Sequence, residues 1–528
     1  MKPIRWSLLV VGWLFVSGCS AGDVGDSQSL LHRGLASDPE TLDAQRARSV
    51  QAADVLRDIG EGLLAYSATG QLVPGAAQSW EIADDGLIYA FAIRADARWS
   101  NGEPVTAKHF VLGLRRLVDP ANAAFYASTI ADIVNAGAII AGDAPVGELG
   151  VVAIDERTLR IELSQPVPYL LSLLTHPSTF PAYDTTGNVD ATRSPLSNGA
   201  YKLASWEPGS ILRLQRNEYY WNNAATAIDA VHHHVITEET VELNRYRAGE
   251  LHTTDNVPSD NFAAIKANYG DELRVAQYLG TYYYGFNLTR PPFQDKPALR
   301  QALSMAVDRD VLVEKITGRG EAPAYSWVPP GTDNYDPPRL SYADLTQAER
   351  NSIALSLYQR AGYSAENPAQ VELRYNSSDT QRRIALAVQA MWRETLGFEA
   401  TLISEEFQVL LTNIREGQNT EVFRGSWIGD YNDATTFLSL LLSSNPANMT
   451  GYASEEFDSL IQRAAAQVDP DRRRLFLEEA ERVLLADHAI MPVYFYVSKH
   501  LVRPEVLGWD DNVLDYHYSQ HLSLDVAQ

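Results

Sequence analysis

The spacing of apolar positions changes repeatedly along the chain, and the changes mark its elements. Between Trp80 and Arg94 two apolar-rich runs flank Asp85-Gly86. An Asp-Gly pair readily takes up positive φ, so this stretch predicts a β-hairpin. Asn101-Gly102 marks a further turn. After Thr106 the period lengthens, with Phe110, Leu114 and Leu117 at i, i+4 and i+7. That is one face of a helix, with Thr106 fit to cap its start and Asp119-Pro120 to end it. A second helix is predicted after Asp379, with Ile384, Val388 and Met391 on one face and Gly397 as its stop. A third amphipathic helix is predicted over Leu475 to Leu485. Ala230 to Ile236 reads as a strand, and Glu421 to Phe423 is strand-like. Two further runs, TYYYGFN at Thr281 to Asn287 and MPVYFYV at Met491 to Val497, are aromatic and β-prone. They fit either two buried strands or a pair of crossovers between two lobes, and periodicity does not choose. Strand and helix signals alternate throughout, which argues for an α/β architecture.

The N-terminus follows a different logic. Lys2 and Arg5 precede an apolar stretch from Trp6 to Val16. Its 11 residues fall short of the roughly 20 that span a bilayer, so it reads as the apolar core of a signal peptide covering residues 1–18. Val16-Ser17-Gly18-Cys19 has the form of a lipobox, in which the cysteine is acylated and becomes the first mature residue. The small, polar segment after it makes residues 19–29 a tether. The expected product is held at the outer face of a bacterial membrane, or in the periplasm, by a lipid on Cys19.

Composition narrows the functional classes. Cys19 is the single cysteine of 528 residues, which excludes intramolecular disulfides, CxxC redox pairs and cysteine-based zinc cages. The formal charge is −24, the opposite of a nucleic-acid surface; no nucleic-acid partner is expected. The length suggests two to four domains.

Catalytic signatures are missing from residue 30 onward: GxxxxGK[ST], GxGxxG after a strand, HExxH and GxSxG are all absent there. Asp84-Asp85 and Asp510-Asp511 read as solvated loop residues. His232-His233-His234 is the one conspicuous cluster. In a strand only His232 and His234 share a face, and with no third ligand placed nearby the run reads as structural, so neither metal nor cofactor is expected. The segment Arg424 to Asp433 is richer, with an arginine, a tryptophan, two glycines and two aspartates in ten residues. Glycine permits close backbone approach, tryptophan offers apolar area, and Arg424 with Asp430 suits the two charged ends of a zwitterion.

At this loop the chain resembles the oligopeptide-binding members of the family 5 solute-binding proteins of bacterial ABC importers, from about Leu30 to Leu524. The resemblance rests on ordered motifs: Thr41-Leu42-Asp43 with Glu61-Gly62-Leu63-Leu64; Arg98-Trp99-Ser100-Asn101-Gly102-Glu103-Pro104-Val105-Thr106; Ser197-Asn198-Gly199-Ala200-Tyr201-Lys202-Leu203; Asn244-Arg245-Tyr246-Arg247-Ala248-Gly249-Glu250; Arg300-Gln301-Ala302-Leu303; Trp427 to Tyr431; and Pro492-Val493-Tyr494-Phe495-Tyr496. It implies a two-lobed, type II periplasmic-binding-protein-like α/β fold with two crossover strands and an additional subdomain. The first lobe would comprise residues 30–66, 195–280 and 497–528, with the subdomain, 67–194, packed on it; the second lobe would comprise 281–496. It further implies a monomeric receptor, not an enzyme, that closes on short peptides and delivers them to an ABC permease.

The resemblance also assigns roles. Asp430 matches an aspartate that pairs with the peptide ammonium. Trp427 and Tyr126 match aromatic residues lining the cleft, Arg424 and Arg415 match arginines for the peptide carboxylate, and Val50 matches a position meeting the peptide backbone. Two departures stand out. Gln381 replaces a histidine near the carboxylate, and Arg48 replaces an acidic cleft residue, a reversal that suits acidic side chains or a peptide carboxylate. A murein-peptide or signalling-peptide receptor is therefore the alternative within this fold. A peptide hydrolase would have to rest on Asp430 with Asp433, without an identifiable nucleophile, base or metal set.

Overall fold

The computed structural model describes residues 29–183, 196–259, 262–417 and 421–525. The predicted signal peptide and Cys19 lie outside the described residues, as does the predicted tether except Ser29. Ser29 is pinned: its backbone N–H donates to Asp229 Oδ2 at 2.9 Å. No helix among the described residues is long and apolar enough to cross a membrane.

The first-lobe sheet orders its strands as Leu30–Leu35, Ala230–Val235, Ile211–Arg216 and Tyr201–Glu207. The first two run parallel, with His32 opposite His232 and Gly34 opposite His234. Alternation along the histidine run sends His233 to one face, where it is buried beside Asp58 of helix Val50–Ile59. His232 and His234 occupy the other face, where His32 joins them. The expectation that no third ligand stands near this pair is thereby corrected.

The subdomain sheet orders Ala77–Ile82, Ile88–Ile93, Thr158–Glu162 and Val151–Ala153. Its first two strands are the predicted hairpin, with Gly86 at φ 69°. Helix Ala107–Val118 covers this sheet through Phe110, Leu114 and Leu117, all fully buried, and is bounded by Thr106 and Asp119 as predicted.

The other large sheet has six strands, in the order Ala322–Pro323, Ile490–Leu501, Leu273–Phe286, Val422–Ile428, Glu372–Asn376 and Thr401–Glu405. Helix Asp379–Leu396 packs Ile384 and Val388 into its core and ends at Gly397, φ 76°. Its cap is Ser378, whose side chain accepts from Gln381 N–H; Asp379 is the first helical residue. The predicted third helix is longer, Pro470–Asp487, capped by Asp469. Leu475 is 57% exposed and lies off the apolar face made by Leu477, Ala480 and Leu484.

Both readings of the two Tyr-rich runs hold, because they are buried strands that also cross between lobes. Leu273 to Gln277 pairs with Val497 to Leu501, and Thr281 to Gly285 pairs with Ile490 to Phe495, with a register break between. Leu273–Gln277 and Val497–Leu501 join the first lobe, where Thr254 N–H donates to Leu501 O at 3.0 Å. Thr281–Gly285 and Ile490–Phe495 sit in the core of the six-stranded sheet. Two antiparallel strands shared in this way form a natural hinge.

Candidate functional site

Where the lobes and subdomain meet lies a cavity of about 330 Å³. One wall is the entry to helix Val50–Ile59. Ser49 caps it, accepting from Ala52 N–H at 3.1 Å, which leaves Arg48 and Val50 exposed along the cavity; Val50 is 61% exposed. The facing wall is the turn that follows strand Val422–Ile428, bringing Ile428, Gly429 and Asp430 to the cavity. Gly429 lies so close to the crossover strand that a Cβ would meet Leu279 Cδ2 at 2.5 Å. A side chain at 429 would have to displace Leu279, and glycine avoids that beside Asp430. Tyr126 of the subdomain forms a third wall, its hydroxyl near Arg48 O at 3.4 Å and its ring 4.4 Å from that of His176.

The cavity therefore gathers four of the predicted residues: Arg48, Val50, Tyr126 and Asp430. The Asp430 carboxylate reaches solvent and has no cationic partner among the described residues, yet the surrounding protein removes enough water to hold its pKa above the ordinary aspartate value. Burial raises the pKa of Tyr126 as well, and the charge of Asp430 adds to that rise.

The floor is a charge network that sequence reasoning missed. Asp54, pushed up by burial, pairs with Arg57 at 3.0 Å, and the Arg57 guanidinium lies 3.5 Å over the Tyr516 ring. His500 donates through Nε2 to Asp515 at 2.9 Å and through Nδ1 to Thr254 O at 3.0 Å. Burial alone would lower the pKa of His500, but Asp515 outweighs it and holds the imidazolium up to about 9. His517 Nε2 approaches the same carboxylate at 3.0 Å. Asp255, buried alongside, rises to about 6. Positions 54, 255 and 500 share no local spacing; only Asp515 with His517 could have been noticed from the chain.

The remaining predicted residues do not line this cavity. Arg424 and Gln381 meet around Tyr282: the guanidinium lies 5.3 Å from the ring centroid, and the Tyr282 hydroxyl donates to Gln381 Oε1 at 2.6 Å. Trp427 is half-buried, with Nε1 donating to Thr436 Oγ1 at 3.3 Å. Arg415 is exposed in the last turn of helix Phe407–Glu416. Strand Val422–Ile428 adds a backbone feature. It pairs along its whole length with the crossover strand, but only Val422 and Phe423 also pair on the other side. From Arg424 to Ile428 one edge carries no neighbouring strand among the described residues.

Two lobes on a shared strand pair, with a mixed-charge cavity between them, suit capture of a small polar solute. Residues 71–449 match the model described as bacterial extracellular solute-binding proteins, family 5 Middle. The chain belongs to this family. Periplasmic oligopeptide-binding protein OppA of Escherichia coli is 37% identical over 514 residues, covering 94% of this chain and 93% of the relative. Periplasmic murein peptide-binding protein MppA of the same organism is 33% identical over 509 residues, covering 95% and 94%. The solved structure of MppA in its unliganded open form superposes on this family 5 protein with a TM-score of 0.88, at 33% identity and covering 94% of this chain and 98% of the other. Haemophilus influenzae OppA in complex with RPPGFSPFR gives 0.73, at 34% identity, covering 94% and 99%.

Proposed function

We propose that this protein is the extracytoplasmic receptor of an ABC importer for short peptides, capturing them between its lobes and passing them to the permease. The observation that carries the reading is the unpaired Asp430 carboxylate beside the open strand edge Arg424–Ile428. An extended peptide adds to such an edge through its main chain, which every peptide shares, and its ammonium completes the pair with Asp430. The likeness to oligopeptide- and murein peptide-binding proteins agrees with it. Arg424 near Tyr282 and Gln381 supplies a cation for the far end of the ligand once the lobes close, with Arg415 as a further candidate. We assign the lobes the boundaries expected above, the receptor a monomeric and non-catalytic role, and Cys19 the lipid that keeps it at the outer face of the membrane or in the periplasm.

Calorimetry of protein stripped of carried ligand, against mixed tri- to pentapeptides, tests this. Binding with saturable heat is expected; no heat with any peptide at millimolar concentration overturns the reading.

A murein-peptide specificity is the second reading, favoured by one observation: Arg48 places an exposed cation on the cavity wall. An acidic residue such as γ-linked D-Glu would meet it. If this reading holds, a murein tripeptide displaces neutral tripeptides at substoichiometric dose, and Arg48→Ala removes that advantage. Equal competition in both proteins assigns the site to general peptides.

A further inference from the structure

The face of the first-lobe sheet opposite His233 carries a second constellation. His32 and His232 are register partners on parallel strands, and His234 is two residues along on the same face. One ring nitrogen from each of the three lies within 4.8 Å of the others. His32 Nδ1 and His234 Nε2 are only 2.9 Å apart. Tetrahedral zinc with Zn–N bonds of about 2.0–2.1 Å places neighbouring donor nitrogens roughly 3.3 Å apart, so small side-chain rotations fit all three to one ion. All three imidazoles are half-buried and so remain open to an ion from solvent.

We propose that His32, His232 and His234 form a binding site for a borderline divalent transition ion, Zn²⁺ foremost, with a fourth position open to water. Three neutral imidazoles and one exchangeable ligand are a recurrent zinc donor set. His32 Nδ1 and His234 Nε2 share a hydrogen bond here, which an ion between them would replace by coordination to neutral imidazoles. His252 supports the site from behind: its Nδ1 accepts the backbone N–H of His32 at 2.9 Å, and its ring stacks on that of His32 at 5.5 Å.

Two arginines oppose a cation here, and each is paired with a carboxylate. Arg213, register partner of His232, bonds Glu207; Arg245 bonds Glu250 at 2.8 Å. Arg245 also donates to His234 Nδ1 at 3.1 Å. Coordination through Nε2 makes that Nδ1 an N–H donor, so Arg245 must withdraw from it, as its pairing with Glu250 allows. The ion would clamp the first strand, Leu30–Leu35, to Ala230–Val235, on the side of the sheet away from the ligand cavity.

The test uses untagged, chelator-treated protein titrated with Co²⁺ as spectroscopic reporter and Zn²⁺ as competitor. Expected are one equivalent of Co²⁺ with visible bands of tetrahedral imidazole coordination, displacement by Zn²⁺, and slower hydrogen exchange across Leu30–Leu35. His32→Ala, His232→Ala and His234→Ala should each weaken binding at least tenfold, and Arg245→Gln should tighten it, while peptide titrations stay unchanged. His32→Gln guards against a folding defect by keeping the side-chain volume. Absence of Co²⁺ bands overturns the proposal. So does binding that survives the three substitutions but is lost in His517→Asn, which would place the ion at His500, Asp515 and His517.

Discussion

Asp430→Ala should weaken peptides with a free α-ammonium by about 2–5 kcal/mol, roughly thirty- to several-thousand-fold in Kd, and N-acetylated peptides far less. The carboxylate touches water, yet its pKa already lies above the ordinary aspartate value through desolvation. Closing the lobes removes more of that water, so the ammonium and carboxylate must then satisfy each other. Truncating one member strands the other, and the cost of stranding exceeds the net worth of the pair. The pH dependence follows with a definite sign. Binding an ammonium selects the ionised carboxylate, so affinity is level between the Asp430 pKa of the free protein and that of the peptide α-ammonium, about 8, and falls as pH drops through the former. Because that pKa is raised, the fall begins above the usual aspartate range. Calorimetry of one tripeptide and its N-acetyl form against wild type, Asp430→Ala and Asp430→Asn, from pH 4 to 8, separates these effects. Equal losses for both peptides would remove Asp430 from its role.

The Asp430 loop was visible in the sequence because its chemistry is local: ten residues hold the glycines, the tryptophan and the acids. Helix Ala107–Val118 was visible for the same reason, since cap, period and stop sit on one short segment. Helix Pro470–Asp487 was foreshortened because its first turn, Asp471-Arg472-Arg473-Arg474, interrupts the apolar period. The overlooked signal was Asp469-Pro470, a cap followed by a proline at the first helical position. Other features were not legible for a physical reason. Parallel partners such as His32 and His232 are joined by a long connection and carry no turn signal, so the third imidazole could not be anticipated from the histidine run. The cavity floor is assembled from Asp54, Asp255, His500 and Asp515 by tertiary packing alone. The same holds for the distinction between strand and crossover, because it depends on what each half of Leu273–Phe286 packs against.

Asp515→Ala is expected to destabilise the protein by about 3–5 kcal/mol, the usual cost of leaving a buried charge without its partner. His500 belongs to the crossover strand Ile490–Leu501, Asp515 to the C-terminal segment, and Thr254 to the first lobe; the two hydrogen bonds of His500 tie all three together. Removing the carboxylate leaves an imidazole whose burial disfavours its charge, with His517 facing the same gap. The pH window can be worked out from both partners. His500 has a folded pKa of about 9, above the roughly 6.5 of an unfolded histidine, so its contribution is fully present below about 6.5 and is lost as pH rises through 9. Burial would raise the pKa of Asp515, but His500 and His517 together depress it, so its contribution is present above about 3.9 and is lost as pH falls through the folded value. The pair thus stabilises the hinge most between about pH 3.9 and 6.5 and progressively less as pH rises toward 9. Urea midpoints at pH 6, 7.5 and 9 should fall with rising pH in the wild type and change much less in Asp515→Asn. A variant that keeps the wild-type slope would show that another group carries the pH dependence. A variant that loses the slope but binds peptide normally would show that the pair acts on the hinge's stability and not on ligand contact.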